Sequence, residues 1–278
     1  MKKILAVSGG VDSVVMLHLF RHDPDVIVAH FDHGIRPNSV DDCNFVKRLA
    51  AENGNDFHFA RAQLGPNCSE ATARAARYDF LQQLTRDLNG KIYTAHHLDD
   101  LAETVVINLL RGTGWRGLAA LNNSNIERPL LTWSKREIYQ YAAQHQLHFR
   151  LDQTNSDPKY LRNRVRVALQ RADRAQVDRL AQLALRQRAL ATQIDAELAD
   201  LPRDNYPRAL ATLDQVVALE ILRAILQRQQ ISQTRPQLQR ALAAIRDYTN
   251  GKQFPLNQHY ALMMGRYCFR IVPTICPQ

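Results

Sequence analysis

Six consecutive residues near the N-terminus, Ser8-Gly9-Gly10-Val11-Asp12-Ser13, set two glycines, two hydroxyls and a carboxylate directly after an apolar run. Glycine lets a main chain turn sharply and approach a ligand closely. With a helix starting at Val11, the unpaired N–H groups and the helix dipole favour a phosphate over this turn. The GxxxxGK[ST] loop is absent from the chain, and the turn does not follow the GxGxxG spacing. An ordinary strand-to-helix turn accounts for the glycines but not for Ser8, Asp12 and Ser13 around them. Asp12 beside a phosphate is unfavourable unless a cation is shared, which points to Mg2+ with Asp12 as its ligand.

Two further groups of residues carry chemistry. His30, Asp32 and His33 close a second apolar run, but no distant third ligand completes a zinc set, so they read as nucleotide-side or loop residues. The stretch from Thr94 to Thr104 crowds His96, His97, Asp99, Asp100 and Glu103 at a third strand-to-helix junction. Asp100 and Glu103 are three apart and share a helix face. Solvated first-turn acids are common. Their company at this junction instead suggests carboxylates for Mg2+ or for an incoming ammonium group. Arg77, Arg74 and Arg166 are candidates for a carboxylate ligand, because guanidinium pairs well with that group.

The elements that position these residues follow from periodicity. Apolar runs at 2–8, 26–33, 57–62 and 91–97 alternate with helical patterns at 11–21, 40–53, 69–88 and 98–110. A helix over 134–146 opens on the capping-box pair Ser134 and Glu137, and 149–151 is the expected fifth strand. The fold class is therefore α/β, a doubly wound, mostly parallel, Rossmann-like five-stranded sheet. Strand ends in such sheets form the ligand crevice. Beyond about residue 157 the texture becomes rich in Ala, Leu, Gln and Arg, giving a second, mainly α-helical C-terminal domain with a short strand pair over 253–272. The expected domains are 1–165 and 166–278.

Charge separates the same two regions. Residues 1–130 hold 14 Lys/Arg against 15 Asp/Glu, and residues 131–278 hold 22 against 12, so the whole excess of the net +9 lies in the second part. This one-sided balance suggests a polyanionic partner. The stretch 159–190 carries nine Lys/Arg and two Asp/Glu and reads as a phosphate track whose affinity falls as salt rises. Arg36, Arg162, Arg164, Arg171, Arg174 and Arg179 are the candidate nucleic-acid contacts. Trp115, Trp133 and Tyr160 are either base-stacking or core residues. No apolar stretch reaches the ~20 residues of a membrane span. Cys43, Cys68, Cys268 and Cys276 show no CxxC spacing, so a cytoplasmic protein with reduced thiols is expected.

On the SGGxDS turn the sequence resembles the PP-loop, or N-type ATP pyrophosphatase, superfamily, in which the loop cradles pyrophosphate while ATP adenylates an oxygen. The turn alone leaves asparagine, argininosuccinate and GMP synthetases and the tRNA thiolases in play. The ordered runs His30–Arg36, Ala73–Tyr78, His96–Thr104, Arg111–Gly114, Arg128–Leu131, Asp152–Asn155 and Arg162–Arg166 are similar to those of the tRNA(Ile)-lysidine synthase family. That resemblance spans about residues 2–170. It implies that ATP activates C2 of the wobble cytidine in tRNA(Ile) with a CAU anticodon, and that free L-lysine then displaces AMP. It also implies ATP contacts from Ser8–Ser13, His30, Asp32, His33, Arg111 and Gly112, and catalytic roles for Asp12, Asp100 and Glu103. Lysine is expected on Asp100, Glu103, Arg77 and Arg166. A homodimer is a further expectation of the resemblance.

Overall fold

The computed structural model describes residues 1–34, 39–62, 65, 68–150, 161–202 and 204–274. Arg36, the 152–155 run and Tyr160 lie outside the described residues. Two compact units emerge, Met1–Ala189 and Leu190–Gln278.

The first unit is built on a five-stranded parallel sheet in the order β3-β2-β1-β4-β5, with β1 Lys2–Ala6, β2 Val26–Asp32, β3 Asp56–Arg61, β4 Gly90–Tyr93 and β5 Ile126–Glu127. Its helices are α1 Val11–Leu19, α2 Ser39–Glu52, α3 Glu70–Leu88, α4 Leu98–Leu110, the single turn α5 Trp115–Leu118, α6 Lys135–Gln144, α7 Leu161–Arg171 and the start of α8 Arg174–Glu197. Alternation in β1 explains the layering. Ile4 and Leu5 are both fully buried but face opposite ways. Leu5 joins Val15, Leu17, Val46, Leu130 and Ile138 on one face, while Ile4 meets Leu81, Leu84 and Ile92 on the other. The capping box predicted for α6 is present, with the Ser134 N–H donating to Glu137 at 2.7 Å and the Glu137 N–H donating to the Ser134 hydroxyl at 3.3 Å.

The fifth strand is a correction. Residues 126–127, not Phe149 and Arg150, pair with β4, through Ile92 opposite Ile126, and Leu151 lies outside the described residues. Phe149 and Arg150 pass by the glycine turn instead, where the Arg150 N–H donates to the Gly9 carbonyl at 2.9 Å. With Ile126 nine-tenths buried at the free edge of β4, that edge is already covered when the chain returns at Phe149.

The units do not divide at residue 165 either. Helix α7 packs on α4, and Val177, Ala181 and Ala184 of α8 join the apolar cluster of Leu98, Leu101, Ala102 and Val105. The amphipathic helices that the composition assigned to a second domain thus supply part of the first unit's core. The second unit holds α9 Gln215–Arg228, α10 Arg235–Asp247 and a four-stranded antiparallel sheet rather than one strand pair. Its strands are β6 Tyr206–Pro207, β7 Gln253–Pro255, β8 Tyr260–Met264 and β9 Cys268–Pro273, in the order β6-β9-β8-β7. Phe269, Leu222, Ile225 and Tyr206 centre its core.

Candidate active site

Strand order reverses at β1, whose neighbours are β2 on one side and β4 on the other. A crevice therefore opens beyond the ends of β1 and β4. The turn after β1 and the His96–Asp100 junction after β4 are brought together there, which their separation of some 85 residues in sequence does not disclose.

The turn is held from within. Ser13 Oγ accepts the N–H groups of Ser8 and Gly9, each at 3.2 Å, and donates to the Gly10 carbonyl at 2.9 Å. Gly9 has φ +90°, and a Cβ there would meet Phe45 at 3.3 Å and Val46 at 3.4 Å. The positive φ favours glycine, and a Cβ would need the Phe45 ring to give by a few tenths of an ångström. Gly10 caps α1 with no side-chain acceptor, so the first N–H groups of that helix face the crevice for a ligand.

Asp12, in the first turn of α1, is engaged by a residue the sequence reading did not single out. Lys135 Nζ lies 2.6 and 2.8 Å from its two oxygens, and His97 Nε2 lies 3.9 Å away. A side-chain cation thus meets Asp12. A signal existed: Lys135 opens α6, and a cation at a helix N-terminus opposes the dipole. Such a local inconsistency marks functional sites. Among the described residues no group of three or more His, Cys, Asp or Glu is placed to hold a metal ion.

His97 sits among three aspartates, 3.5 Å from Asp100, 3.6 Å from Asp99 and 3.9 Å from Asp12. Burial opposes its charge, yet Asp99, Asp100 and Asp12 together raise its pKa. Asp99 accepts the Lys135 N–H at 2.8 Å and also binds Arg174. Burial would raise the Asp99 pKa, but His97, Arg174 and the Lys135 N–H hold it well below the carboxylate range. Asp100 accepts the His97 N–H at 3.1 Å. Against the pull of burial, His97, His96 and Arg162 keep its pKa low too.

Glu103 is buried and clamped. Arg166 Nε and Nη2 donate to its two oxygens at 2.6 and 3.1 Å, and Arg162 Nε donates at 3.0 Å. Both arginines lie on α7, four residues apart on one helix face. They come within 3.8 and 3.9 Å of Asp100 Oδ1. Arg162 and Arg166 are therefore turned inward rather than presented as surface charge. Arg174 pairs with Asp99 and with Asp178. Arg164, Arg171 and Arg179 are exposed.

The other residues named from the sequence make contacts of their own. His30 is buried, bonds the Val7 carbonyl through Nδ1 at 2.8 Å and stacks on Phe59. Asp32 accepts the Gly34 N–H at 2.8 Å and pairs with Arg61 at 3.2 Å. His33 packs edge-on against Phe31. Arg111 and Gly112 follow the far end of α4, about 17 Å from the Asp100 turn at 1.5 Å per residue. Trp133 is a packing residue against Tyr141. Arg77 and Arg74 both lie over the Tyr78 ring, at 5.5 and 4.8 Å. Arg74, with Arg128 and Arg162, also acts on His96, whose pKa burial and these cations push down to about 3. Arg128 Nε is buried without a hydrogen-bond partner among the described residues. In the second unit, Arg208 donates to the carbonyls of Ile245, Arg246 and Tyr248, and Arg228 to that of Leu201. Part of the positive excess is thus structural.

The depressed imidazoles of His96, half-buried, and His30, buried, give a pH expectation. His96 and His30 have depressed pKa values, so the unfolded chain binds more protons below about pH 6.5 and stability falls as pH drops through that window. Each contributes a slope of at most about 1.4 kcal/mol per pH unit. His97, raised, contributes the opposite sign, a loss as pH climbs above about 6.5. Denaturant unfolding at pH 7 and pH 5 should show a smaller acid loss for His96→Gln than for the wild type. Equal losses would contradict a neutral His96 in the folded chain.

The strand order, the glycine cradle and the acids at the switch point are the arrangement by which α/β sheets receive a ligand phosphate. The chain belongs to the PP-loop domain family, whose model matches residues 1–172. Within that family it is similar to curated tRNA(Ile)-lysidine synthases. The one from Thermosipho africanus is 38% identical over 177 residues, 59% of this chain and 42% of the relative. The one from Chlorobaculum tepidum is 41% identical over 178 residues, 59% of this chain and 54% of the relative. The chain thus spans about half the length of the curated relatives it matches. Among solved structures, the U34-tRNA thiolase NcsA from Methanococcus maripaludis with its [4Fe-4S] cluster aligns with a TM-score of 0.56 at 18% identity, covering 68% of this chain and 72% of that one. That likeness concerns the fold alone. No helix among the described residues is long and apolar enough to cross a membrane.

Proposed function

We propose that the chain joins free lysine to C2 of the wobble cytidine of tRNA(Ile) with a CAU anticodon, at the expense of ATP, in the cytoplasm. The observation that carries this reading is the meeting of the glycine cradle with the acid–arginine cluster of Asp100, Glu103, Arg162 and Arg166 at one switch point. In the first step the cytidine O2 attacks the α-phosphorus of ATP and pyrophosphate leaves. In the second the lysine ε-amine attacks C2 and AMP leaves with the oxygen.

The cradle N–H groups support the first step by placing positive charge where pyrophosphate departs. Asp12 is the carboxylate that suits Mg2+, which usually binds through one or two carboxylates together with phosphate oxygens. In the second step lysine arrives as ammonium, with a pKa of about 10.4. Asp100 is the better ammonium ligand, because Glu103 already serves two guanidinium groups and Asp100 Oδ1 has only long contacts. A carboxylate of low pKa binds the ammonium well and takes its proton only as attack begins. Glu103 holds Arg162 and Arg166 in place. Arg77, with Arg74 beside it over the Tyr78 ring, is the proposed partner of the lysine carboxylate, since guanidinium pairs well with that group. The exposed Arg164, Arg171 and Arg179 suit tRNA phosphates.

The thiolase alternative has less support, since Cys43, Cys68 and Cys268 form no ligand group among the described residues. Pyrophosphate release measured with tRNA(Ile) bearing CAU, with and without lysine, tests the reading. The expected result is release that requires this tRNA, with AMP and lysine-modified tRNA appearing only when lysine is added. Equal release with methionine tRNA, or turnover without any tRNA, would refute it.

A further inference from the structure

We propose that Lys135 is a pyrophosphate-binding cation of the glycine cradle, held on Asp12 until a nucleotide arrives; the inference rests on the adenylation reading above. The Lys135 ammonium meets both oxygens of Asp12, at 2.6 and 2.8 Å. Its main chain is fixed as the first residue of α6, where Ser134 and Glu137 form the capping box and Asp99 accepts the Lys135 N–H at 2.8 Å. The ammonium lies 5.2 Å from the Tyr139 ring centroid. A fixed base with a flexible, compact charge at its tip can change partners over a short distance.

Three features argue that the pair serves a ligand and not only the fold. First, the side chains of Lys135 and Asp12 are 36% and 29% exposed, so a ligand entering the crevice reaches both. Second, α1 and α6 are already joined by Val11, Val15, Ile138 and Ala142 in one apolar cluster, and a half-exposed ion pair adds little to such packing. Third, a lysine at the positive end of α6 opposes the helix dipole, a conflict that a bound polyanion relieves. Pyrophosphate carries more negative charge than a carboxylate, so at equal distance it attracts the ammonium more strongly. Asp12, on losing Lys135, keeps His97 Nε2 as a neighbour at 3.9 Å.

The test is calorimetric binding of inorganic pyrophosphate to the intact chain in metal-free buffer, which needs neither tRNA nor lysine. Lys135→Ala is expected to weaken binding by about tenfold or more, the effect of a charge-assisted hydrogen bond. Lys135→Arg should recover most of it, and both variants should melt close to the wild type. Asp12→Asn removes the competing carboxylate and should tighten metal-free pyrophosphate binding. If Lys135→Ala binds within about twofold of the wild type, or Asp12→Asn binds more weakly, this inference falls while the adenylation reading stands. If the wild type binds no pyrophosphate without metal but binds it once Mg2+ is added, only this inference falls; if it binds none in either buffer, the cradle is not the leaving-group site and both fall.

Discussion

Replacing Glu103 with alanine is expected to lower the free energy of unfolding by about 3 kcal/mol, the lower end of the range for breaking a buried ion pair by removing one partner. Glu103 is 3% exposed and is the shared acceptor of Arg162 and Arg166. Alanine leaves two guanidinium groups facing each other between α4 and α7 with Asp100 as the nearest carboxylate, at 3.8 and 3.9 Å. The lower end applies because the arginine side chains are 23% and 29% exposed and water relieves part of the penalty. Chemical denaturation of the intact chain measures this directly. A loss under about 1 kcal/mol would mean that Asp100 or water replaces Glu103 at small cost. The same variant separates packing from lysine handling. Under conditions where it stays folded, the released arginines are expected to collapse onto Asp100 and raise the KM for lysine. Pyrophosphate release in the first step should then be affected less than lysine transfer.

Gly9→Ala is expected to reduce ATP-dependent pyrophosphate release by on the order of 10²-fold, the scale of losing one preorganised donor to a developing anion. An alanine at φ +90° is strained, and its Cβ would press on Phe45 at 3.3 Å and Val46 at 3.4 Å. Relief requires the 8–10 backbone to rotate. That rotation turns the N–H groups away from the crevice and breaks the bond from the Arg150 N–H to the Gly9 carbonyl. Circular dichroism should remain native, because the sheet core lies behind the turn. Release at the wild-type rate would show that the cradle is not where charge develops.

The parallel sheet was legible because buried strands and amphipathic helices write different periods into the chain. The site turn was legible because glycines, hydroxyls and an acid in one hexapeptide have few structural uses. Strand 149–151 was misread because Phe149-Arg150-Leu151 is too short to carry a decisive period, and Ile126 had a better claim to the β4 edge. The boundary at 165 was misread because a basic, leucine-rich helix looks alike whether it packs on the first unit or the second. Composition records the charge of an arginine but not its partner. Arg162 and Arg166 lie in the basic stretch yet bind Glu103, and Arg208 binds backbone carbonyls.

The sequence by itself determined the α/β class, the phosphate-binding turn, and the pairing of Asp100 with Glu103 on one helix face, all of which depend on residues within about one helical turn of each other. Only the tertiary structure decided that Lys135, 123 residues from Asp12, meets it at 2.6 Å. The same holds for His97 among three aspartates and for Glu103 between two arginines. Those contacts are set by which strand lies beside which, and the strand order 3-2-1-4-5 is a property of the packed sheet that no local period encodes.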